Sequence, residues 1–217
     1  MANGSQPEPS EPKPERRRRP HGERSRRTIL QVAARLATVE GLRGLSIGRL
    51  ADEIGMSKSG LYAHFGSKEE LQLATIDTAG EIFEHEVFRP ALSAPEGLSR
   101  LYALCDAYLS YVERRVFPGG CFFAAAAAEF GTHPGPVHDR IVAIYREWLR
   151  TFEALIGAAQ DQGQLGADLD PAQLAFEIDA LLFGANASFV LGTDDAVLDR
   201  ARTAIRGRIE AGEPVRR

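Results

Sequence analysis

The stretch SIGRLADEIGMSKSGLYAHFGSKEEL, residues 46–71, is the part of this chain that says most about its fold. Its first half spaces apolar side chains so that they share one face of a helix, and these are Ile47, Leu50, Ala51 and Ile54. Gly55 follows at once, and glycine readily takes the positive φ at which a helix stops. The pattern predicts a short helix, capped by Ser46, that ends in a tight turn.

A second short helix is predicted directly after this turn. Ser57 can cap it, because its hydroxyl can accept a hydrogen bond from an amide of the first turn. Leu61 and Phe65 lie four residues apart and share its apolar face. The sequence Ser-Lys-Glu-Glu at residues 67–70 is a capping box that begins a third helix. Two helices joined by a turn that contains Gly, the second one rich in polar side chains, form the helix-turn-helix layout.

The string GMSKSGLYAHFGSKEEL, residues 55–71, resembles the recognition helix and following helix of the TetR family of bacterial transcriptional regulators. The resemblance extends back through Ala51 and Ile54 to an amphipathic helix at residues 25–40. It implies an all-α fold with an N-terminal three-helix helix-turn-helix DNA-binding head and a larger helical ligand-binding and dimerisation body. Family members differ most in the body, so the resemblance does not carry over a ligand.

The distribution of charge agrees with such a division. Residues 1–65 hold 12 Lys and Arg against 7 Asp and Glu, whereas residues 66–217 hold 14 against 23. A basic front and an acidic rear fit a nucleic-acid-binding head on a body that does not bind phosphate. The alternative is an ordinary drift of charge along the chain.

Composition bounds the class of protein. The chain is 44% hydrophobic and 26% charged, which is ordinary for a soluble globular protein. It has 2 cysteines, so no disulfide framework is implied and the cytoplasm is the expected location. No apolar run is expected to reach the length of a membrane span, and the N-terminus has no hydrophobic signal region.

Three segments are expected: a disordered basic tail at residues 1–24, the helix-turn-helix domain at residues 25–70, and the helical body at residues 71–217. The tail has 2 apolar side chains besides proline, Met1 and Ala2, too few to fold. Its arginines either contact DNA or belong to a solvated tail in which glutamates are interspersed. Pro and Gly breaks divide the body into helices predicted at residues 71–90, 95–116, 121–130, 137–162, 171–191 and 194–212.

The resemblance implies a set of DNA contacts: Thr28, Ser46, Lys58, Ser59, Gly60, Tyr62, His64 and Lys68. In physical terms, Lys58 can donate to guanine or to a phosphate. Tyr62 and His64 can reach phosphates, although Tyr62 could instead be a core aromatic. Gly48, inside the first of the two helices, costs about 1 kcal/mol relative to Ala. It either permits a close approach to DNA or is merely tolerated.

The body is rich in aromatic side chains, and a family member is expected to line an apolar ligand pocket with some of them. The pocket candidates are Phe83, Tyr102, Cys105, Tyr108, Phe122, Trp148, Phe152, Phe176, Asp179 and Phe183. The candidates for a dimer interface are Leu181, Leu182, Ala185, Phe189, Leu198, Ala201 and Ile205. For both sets, packing within one chain is the competing interpretation.

These patterns predict a homodimeric regulator of transcription, which the resemblance makes a repressor. It would bind a palindromic operator in double-stranded DNA and leave it when a small-molecule effector enters the body. No cofactor, metal site, catalytic motif or membrane partner is expected, because no phosphate loop, nucleophile elbow or HExxH motif is present. The alternatives are a ligand-independent or architectural DNA-binding protein and a helical-bundle enzyme.

Overall fold

A computed structural model describes the backbone of residues 18–214 and the side chains of residues 25–214. The described residues contain helices and no strand, which confirms the predicted all-α class. The helices are α1 Arg18–Glu40, α2 Ile47–Ile54, α3 Lys58–Tyr62, α4 Lys68–Phe83, α5 Arg89–Leu92, α6 Leu98–Glu113, α7 Phe122–Phe130, α8 Pro136–Asp161, α9 Pro171–Leu191 and α10 Val197–Glu210. A π-helical segment, Glu84–Phe88, joins α4 to α5. The predicted disorder of residues 1–17 lies outside the described residues.

Several helix boundaries differ from the prediction by a few residues, and two of these differences have a clear physical reason. Helix α1 begins at Arg18, so residues 18–24 continue the helix rather than the tail; Pro20 is tolerated there because the first turn needs no amide donor. Pro90 does not end its helix. The amide of Arg89 donates to the carbonyl of Glu84, and Pro90 then stands in the first turn of α5, which runs on to Leu92.

The caps of the short N-terminal helices form as predicted. Gly55 ends α2 with φ of 67°, and the Ser57 hydroxyl accepts from the amide of Gly60 at 3.1 Å. The Ser67 hydroxyl accepts from the amide of Glu70 at 3.0 Å. The carboxylate of Glu70 accepts from the amide of Gly66, one residue before the cap, at 3.0 Å. These local bonds set the angle between α2, α3 and α4.

Helix α9 corrects the expectation that no apolar run could span a membrane. It is 21 residues long and, by length and composition alone, apolar enough to cross one. In the fold it packs against α8, α10 and α6, and 39% of its apolar stretch is buried. One apolar face lies in the core and a second is exposed. A helix with apolar residues on two faces passes the same test of length and composition as a spanning helix.

Candidate nucleic-acid interface and ligand cavity

The recognition helix α3 presents its polar side chains to solvent. Lys58 and Ser59 are exposed, and Tyr62 is 59% exposed. Tyr62 is therefore not a core aromatic. Leu61, on the opposite side of α3, is fully buried and fixes the helix on the core of the head. Donor groups on one side and an apolar anchor on the other are what a helix needs to enter a major groove.

Lys58 lies over α2 rather than away from it. A Cβ built on Gly48 would be 3.5 Å from Lys58 Cε, which is ordinary van der Waals contact. Crowding against α3 therefore does not require a glycine at position 48. The hydroxyls of Ser57 and Ser59 lie 3.3 Å apart, so the cap of α3 and a predicted contact residue form one polar patch.

The remaining predicted contacts lie on the other helices of the head. Ser46 is exposed and caps α2, accepting from the amide of Arg49 at 3.2 Å. Thr28 is exposed on α1, and His64 is half-buried beside the ring of Phe65. Lys68 donates to the carbonyl of Arg43 at 2.5 Å, so one of its three donors supports the loop after α1.

The body contains a cavity of about 160 Å³ that is open to solvent on one side and lined by residues of α4, α6, α7, α8, α9 and the π-helical segment. Aromatic rings dominate its wall, and the rings of Phe83 and Trp148 meet edge to face at 5.4 Å. Its lining residues are Phe83, Phe88, Tyr108, Cys121, Phe123, Ala124, Ala127, Ile144, Tyr145, Glu147, Trp148 and Phe183. A concave, largely apolar site with few polar groups is the usual form of a small-molecule site.

A buried carboxylate stands behind this wall. The hydroxyl of Tyr145 donates to Asp179 Oδ2 at 2.5 Å, and the indole nitrogen of Trp148 donates to Asp179 Oδ1 at 2.8 Å. Asp179 is 8% exposed. Burial, then the hydrogen bond to Asp179, raises the pKa of Tyr145 above its ordinary value. Asp179 thus fixes the orientation of two rings that line the cavity.

Four of the pocket candidates line this cavity, namely Phe83, Tyr108, Trp148 and Phe183. The other six do not, and each has a different neighbour. The ring of Tyr102 lies beneath the guanidinium of Arg206 at 5.3 Å, and Phe176 is 61% exposed. Asp179 lies behind the wall, and three candidates are buried in the core: Cys105, Phe122 and Phe152.

Eight further residues line the cavity and were not among the predicted pocket residues: Phe88, Cys121, Phe123, Ala124, Ala127, Ile144, Tyr145 and Glu147. Helical spacing carried part of this information. Tyr145 and Trp148 lie three residues apart on α8, as do Ala124 and Ala127 on α7, so each pair shares a face. Which face meets the cavity depends on packing between helices distant in sequence.

The two thiols are structural. Cys105 and Cys121 are free and buried, and burial raises the pKa of both thiols above the ordinary range. Neither is an activated nucleophile. Within the described part of the chain, no group of three or more His, Cys, Asp and Glu side chains could hold a metal ion.

Comparison with known proteins identifies the head and the body together. Residues 29–75 match the model described as "Bacterial regulatory proteins, tetR family". Residues 97–205 match the model of a tetracyclin repressor-like C-terminal domain. The chain belongs to the TetR family. It is a transcriptional regulator with a DNA-binding helix-turn-helix domain.

Individual relatives agree with this assignment. The transcriptional regulator AcuR of Cereibacter sphaeroides is 25% identical over 205 residues, which cover 91% of this chain and 87% of AcuR. A TetR regulator from Chloroflexus aurantiacus is 28% identical, with a TM-score of 0.82 over 88% of this chain and 96% of that one. SCO4454 from Streptomyces coelicolor is 25% identical, with a TM-score of 0.76 over 90% and 92% of the two chains.

In this TetR-family protein the loop after α1 joins the head to the body. Glu129 of α7 accepts from the amides of Leu42 and Arg43 at 3.0 and 2.9 Å. Gln72 of α4 donates to the carbonyl of Leu42 at 2.9 Å. Two helices that line the cavity therefore hold the same loop of the DNA-binding head.

The loop that precedes α7 also contacts the head. The amide of Gly119 donates to the hydroxyl of Thr38 at 3.2 Å, and a Cβ on Gly119 would lie 1.8 Å from the carbonyl oxygen of Thr38. No side chain fits between these backbones. The loop before α7 and the end of α7 thus both rest on the head.

The outer surface of α9 and α10 is where the family resemblance places the dimer contact. The residues predicted for the dimer interface lie in three different environments in the structure. Leu182, Leu198 and Ile205 are core residues of the single chain, and Phe189 is half-buried against Arg115. Leu181, Ala185 and Ala201 line a shallow groove between the two helices. The exposed apolar face of α9 consists instead of Phe176, Ala180, Phe183, Gly184, Ala187, Val190 and Leu191.

Proposed function

We propose that this TetR-family protein is a homodimeric repressor that binds a palindromic operator and leaves it when a small molecule occupies the aromatic cavity. One observation carries the proposal. Helix α7 lines the cavity with Phe123, Ala124 and Ala127, and its Glu129 holds the loop of the head. A change in the cavity wall can therefore reach the loop between α1 and α2 in the DNA-binding head through α7.

The DNA-binding role of individual residues rests on exposure and chemistry. Lys58 and Ser59 stand in the first turn of α3, where they can reach base edges or phosphates. Tyr62, His64 and Lys68 supply further donors that fix the register on the backbone. Ser46 offers a hydroxyl at the N-cap of α2, and Thr28 offers one near the middle of α1. Gly60, without a side chain, leaves room for the DNA backbone near α3.

A second copy of this chain is the proposed occupant of the exposed face of α9. Seven apolar residues share one exposed side of α9, and a contiguous exposed apolar patch often marks a protein–protein contact. The shallow groove between α9 and α10 carries small residues, Ala180, Gly184 and Ala204, which allow close helix contact. A two-fold dimer also gives two recognition helices, which a single five-residue helix needs to read an operator.

Release requires that the ligand favour one conformation over another. A ligand shifts the equilibrium only if it binds the form released from DNA more tightly than the form bound to DNA. Helix α4 contributes Phe83 to the cavity and Lys68 and Gln72 to the loop of the head. Movement of α4 and α7 would thereby change the separation of the two recognition helices.

Two proteins of the same fold support a ligand-responsive role. AibR, 24% identical with a TM-score of 0.65, was solved with isovaleryl coenzyme A and operator DNA. A transcriptional regulator from Saccharomonospora viridis, 24% identical with a TM-score of 0.72, was solved with choline. The two ligands differ in charge and size, so the ligand of this protein has to be argued from its own cavity. We assign the protein no catalytic step. As a bacterial regulator that binds DNA, it acts in the cytoplasm.

The experiment is selection of bound fragments from sheared DNA of the source genome by the purified protein, followed by sequencing. A single enriched palindrome supports the proposal. Sequence-indifferent binding with a steep dependence on salt would instead favour the architectural alternative.

The dimer is tested in the same preparation by Ala180→Arg, which places a charge on the exposed face of α9. Ala143→Arg, on an exposed position of α8, is the matched control. We expect Ala180→Arg to be a monomer in analytical ultracentrifugation and to lose the palindrome, while Ala143→Arg keeps both. A dimeric Ala180→Arg protein would contradict the assigned interface.

A further inference from the structure

The cavity has the form of an aromatic box. The ring of Trp148 lies within 6 Å of three other rings of the cavity wall, at 5.4 Å from Phe83, 5.8 Å from Phe88 and 5.8 Å from Tyr108. Phe123 closes another side, 5.6 Å from Phe83. Ring faces carry partial negative charge, so a cavity walled by several rings attracts a cation that has been stripped of water.

The carboxylate behind the box has no cationic partner among the described side chains. Both oxygens of Asp179 accept hydrogen bonds from neutral donors, the hydroxyl of Tyr145 and the indole of Trp148. Burying a carboxylate without an opposite charge is unfavourable. A positive charge in the adjoining cavity would remove that penalty, and donation to Asp179 makes the two rings more electron-rich.

The wall offers nothing to an anion. Within the described part of the protein, no Lys, Arg or His lines the cavity, and its one charged lining residue is Glu147 at the rim. Glu147 is exposed and pairs with Arg150 at 2.6 Å. A carboxylate or phosphate in the cavity would therefore meet Asp179 with no compensating cation.

We propose that the effector is an organic cation, a quaternary or tertiary ammonium, held by the aromatic box and by the charge of Asp179. The wall has few free hydrogen-bond acceptors, which favours an alkylated ammonium over a primary amine. This inference rests on the proposed ligand-responsive function and names the chemical class of the ligand. Asp179 acts through Tyr145 and Trp148 and is a positioning residue for the cation.

The test compares three probes of one shape and different charge: choline, its neutral carbon isostere 3,3-dimethylbutan-1-ol, and the anion 3,3-dimethylbutanoate. The chain has 1 tryptophan, Trp148, so its fluorescence reports occupancy of the cavity directly. Calorimetry gives the dissociation constant of each probe for the full chain without DNA. We expect choline to bind at least about tenfold more tightly than the alcohol, and the anion not to bind.

Asp179→Asn removes the charge and keeps an acceptor for one of the two donors. We expect it to weaken the binding of choline about tenfold and to leave the affinity for the alcohol unchanged. Asp195→Asn, at an exposed site before α10, is the control and should bind choline as the wild type does. Because the comparison of three probes uses the wild-type protein, it decides the question even if Asp179→Asn fails to fold.

Equal affinity for choline and the alcohol, tighter binding of the anion, or no saturable binding of choline at millimolar concentration would each overturn the inference. Two further outcomes test release from the operator separately from the cation site. A protein that binds choline but keeps its operator would contradict release and leave the cation site intact. A protein released from its operator by an anion would contradict the cation site and leave the function intact.

Discussion

The head and the body of this protein place their functional side chains differently. Lys58, Ser59 and Tyr62 of the head point into solvent from α3, whose anchor is Leu61. The cavity of the body is walled by rings that also pack against core residues, as Trp148 does against Phe152 at 4.7 Å. A substitution in the head can therefore change binding without changing stability. In the body the same residues serve both, and stability has to be measured before any effect on ligand binding is interpreted.

The largest effect is expected when one aromatic side chain is truncated in each region and the changes in the free energy of unfolding are compared. Phe152 is fully buried behind the cavity, so Phe152→Ala should lower the free energy of unfolding by about 3–5 kcal/mol. Tyr62→Ala, at the exposed aromatic of α3, should change it by less than about 0.5 kcal/mol. Urea unfolding at one fixed protein concentration measures both. Similar losses in the free energy of unfolding for the two variants would contradict the difference between the head and the body.

The second largest effect is expected at the contact between the head and the body. Glu129→Ala removes two charge-assisted hydrogen bonds to the loop of the head, which we expect to lower stability by about 2–3 kcal/mol. Amide hydrogen exchange at Leu42 and Arg43 should become faster. Glu81→Ala, at an exposed site on α4, is the control. Unchanged exchange at both amides would mean that Glu129 does not hold the loop.

A smaller effect is expected in the head alone. Lys58→Ala should weaken operator binding by about 1–3 kcal/mol, because it removes a donor from the first turn of α3. The midpoint of unfolding should stay that of the wild type. Arg146→Ala removes one positive charge from an exposed site on α8 and should leave operator affinity alone. Binding is measured by fluorescence anisotropy on the selected palindrome; equal affinities for wild type and Lys58→Ala would remove Lys58 from the interface.

The smallest effect concerns the glycine inside α2. A Cβ at position 48 meets Lys58 Cε at an ordinary 3.5 Å, so Gly48→Ala should stabilise the head by about 0.5–1 kcal/mol and keep operator affinity. Thermal unfolding and anisotropy check the two parts. If affinity falls while stability rises, Gly48 is kept for a close approach to DNA, which is the alternative that the sequence left open.

The caps and turns of the head could be predicted from the amino-acid sequence alone. Each of these depends on atoms within four residues of one another, as in Ser57 with Gly60 or Ser67 with Glu70. The same holds for Asp170, which accepts from the amide of Ala172 at 2.9 Å to begin α9. Local hydrogen bonds and helical periodicity are properties of neighbouring residues, so the order of helices could be predicted from the chain alone. The family was indicated by the resemblance of residues 55–71.

Packing between helices distant in sequence sets which aromatic residues line the cavity and which apolar residues of α9 are exposed. Phe122 and Phe123 are neighbours in sequence, yet one is buried in the core and the other lines the cavity. Leu182 and Phe183 divide in the same way between core and surface. All four are apolar residues on helices with more than one apolar face. Their environment is set by contacts with α4, α8 and α10, and composition and spacing do not specify those contacts.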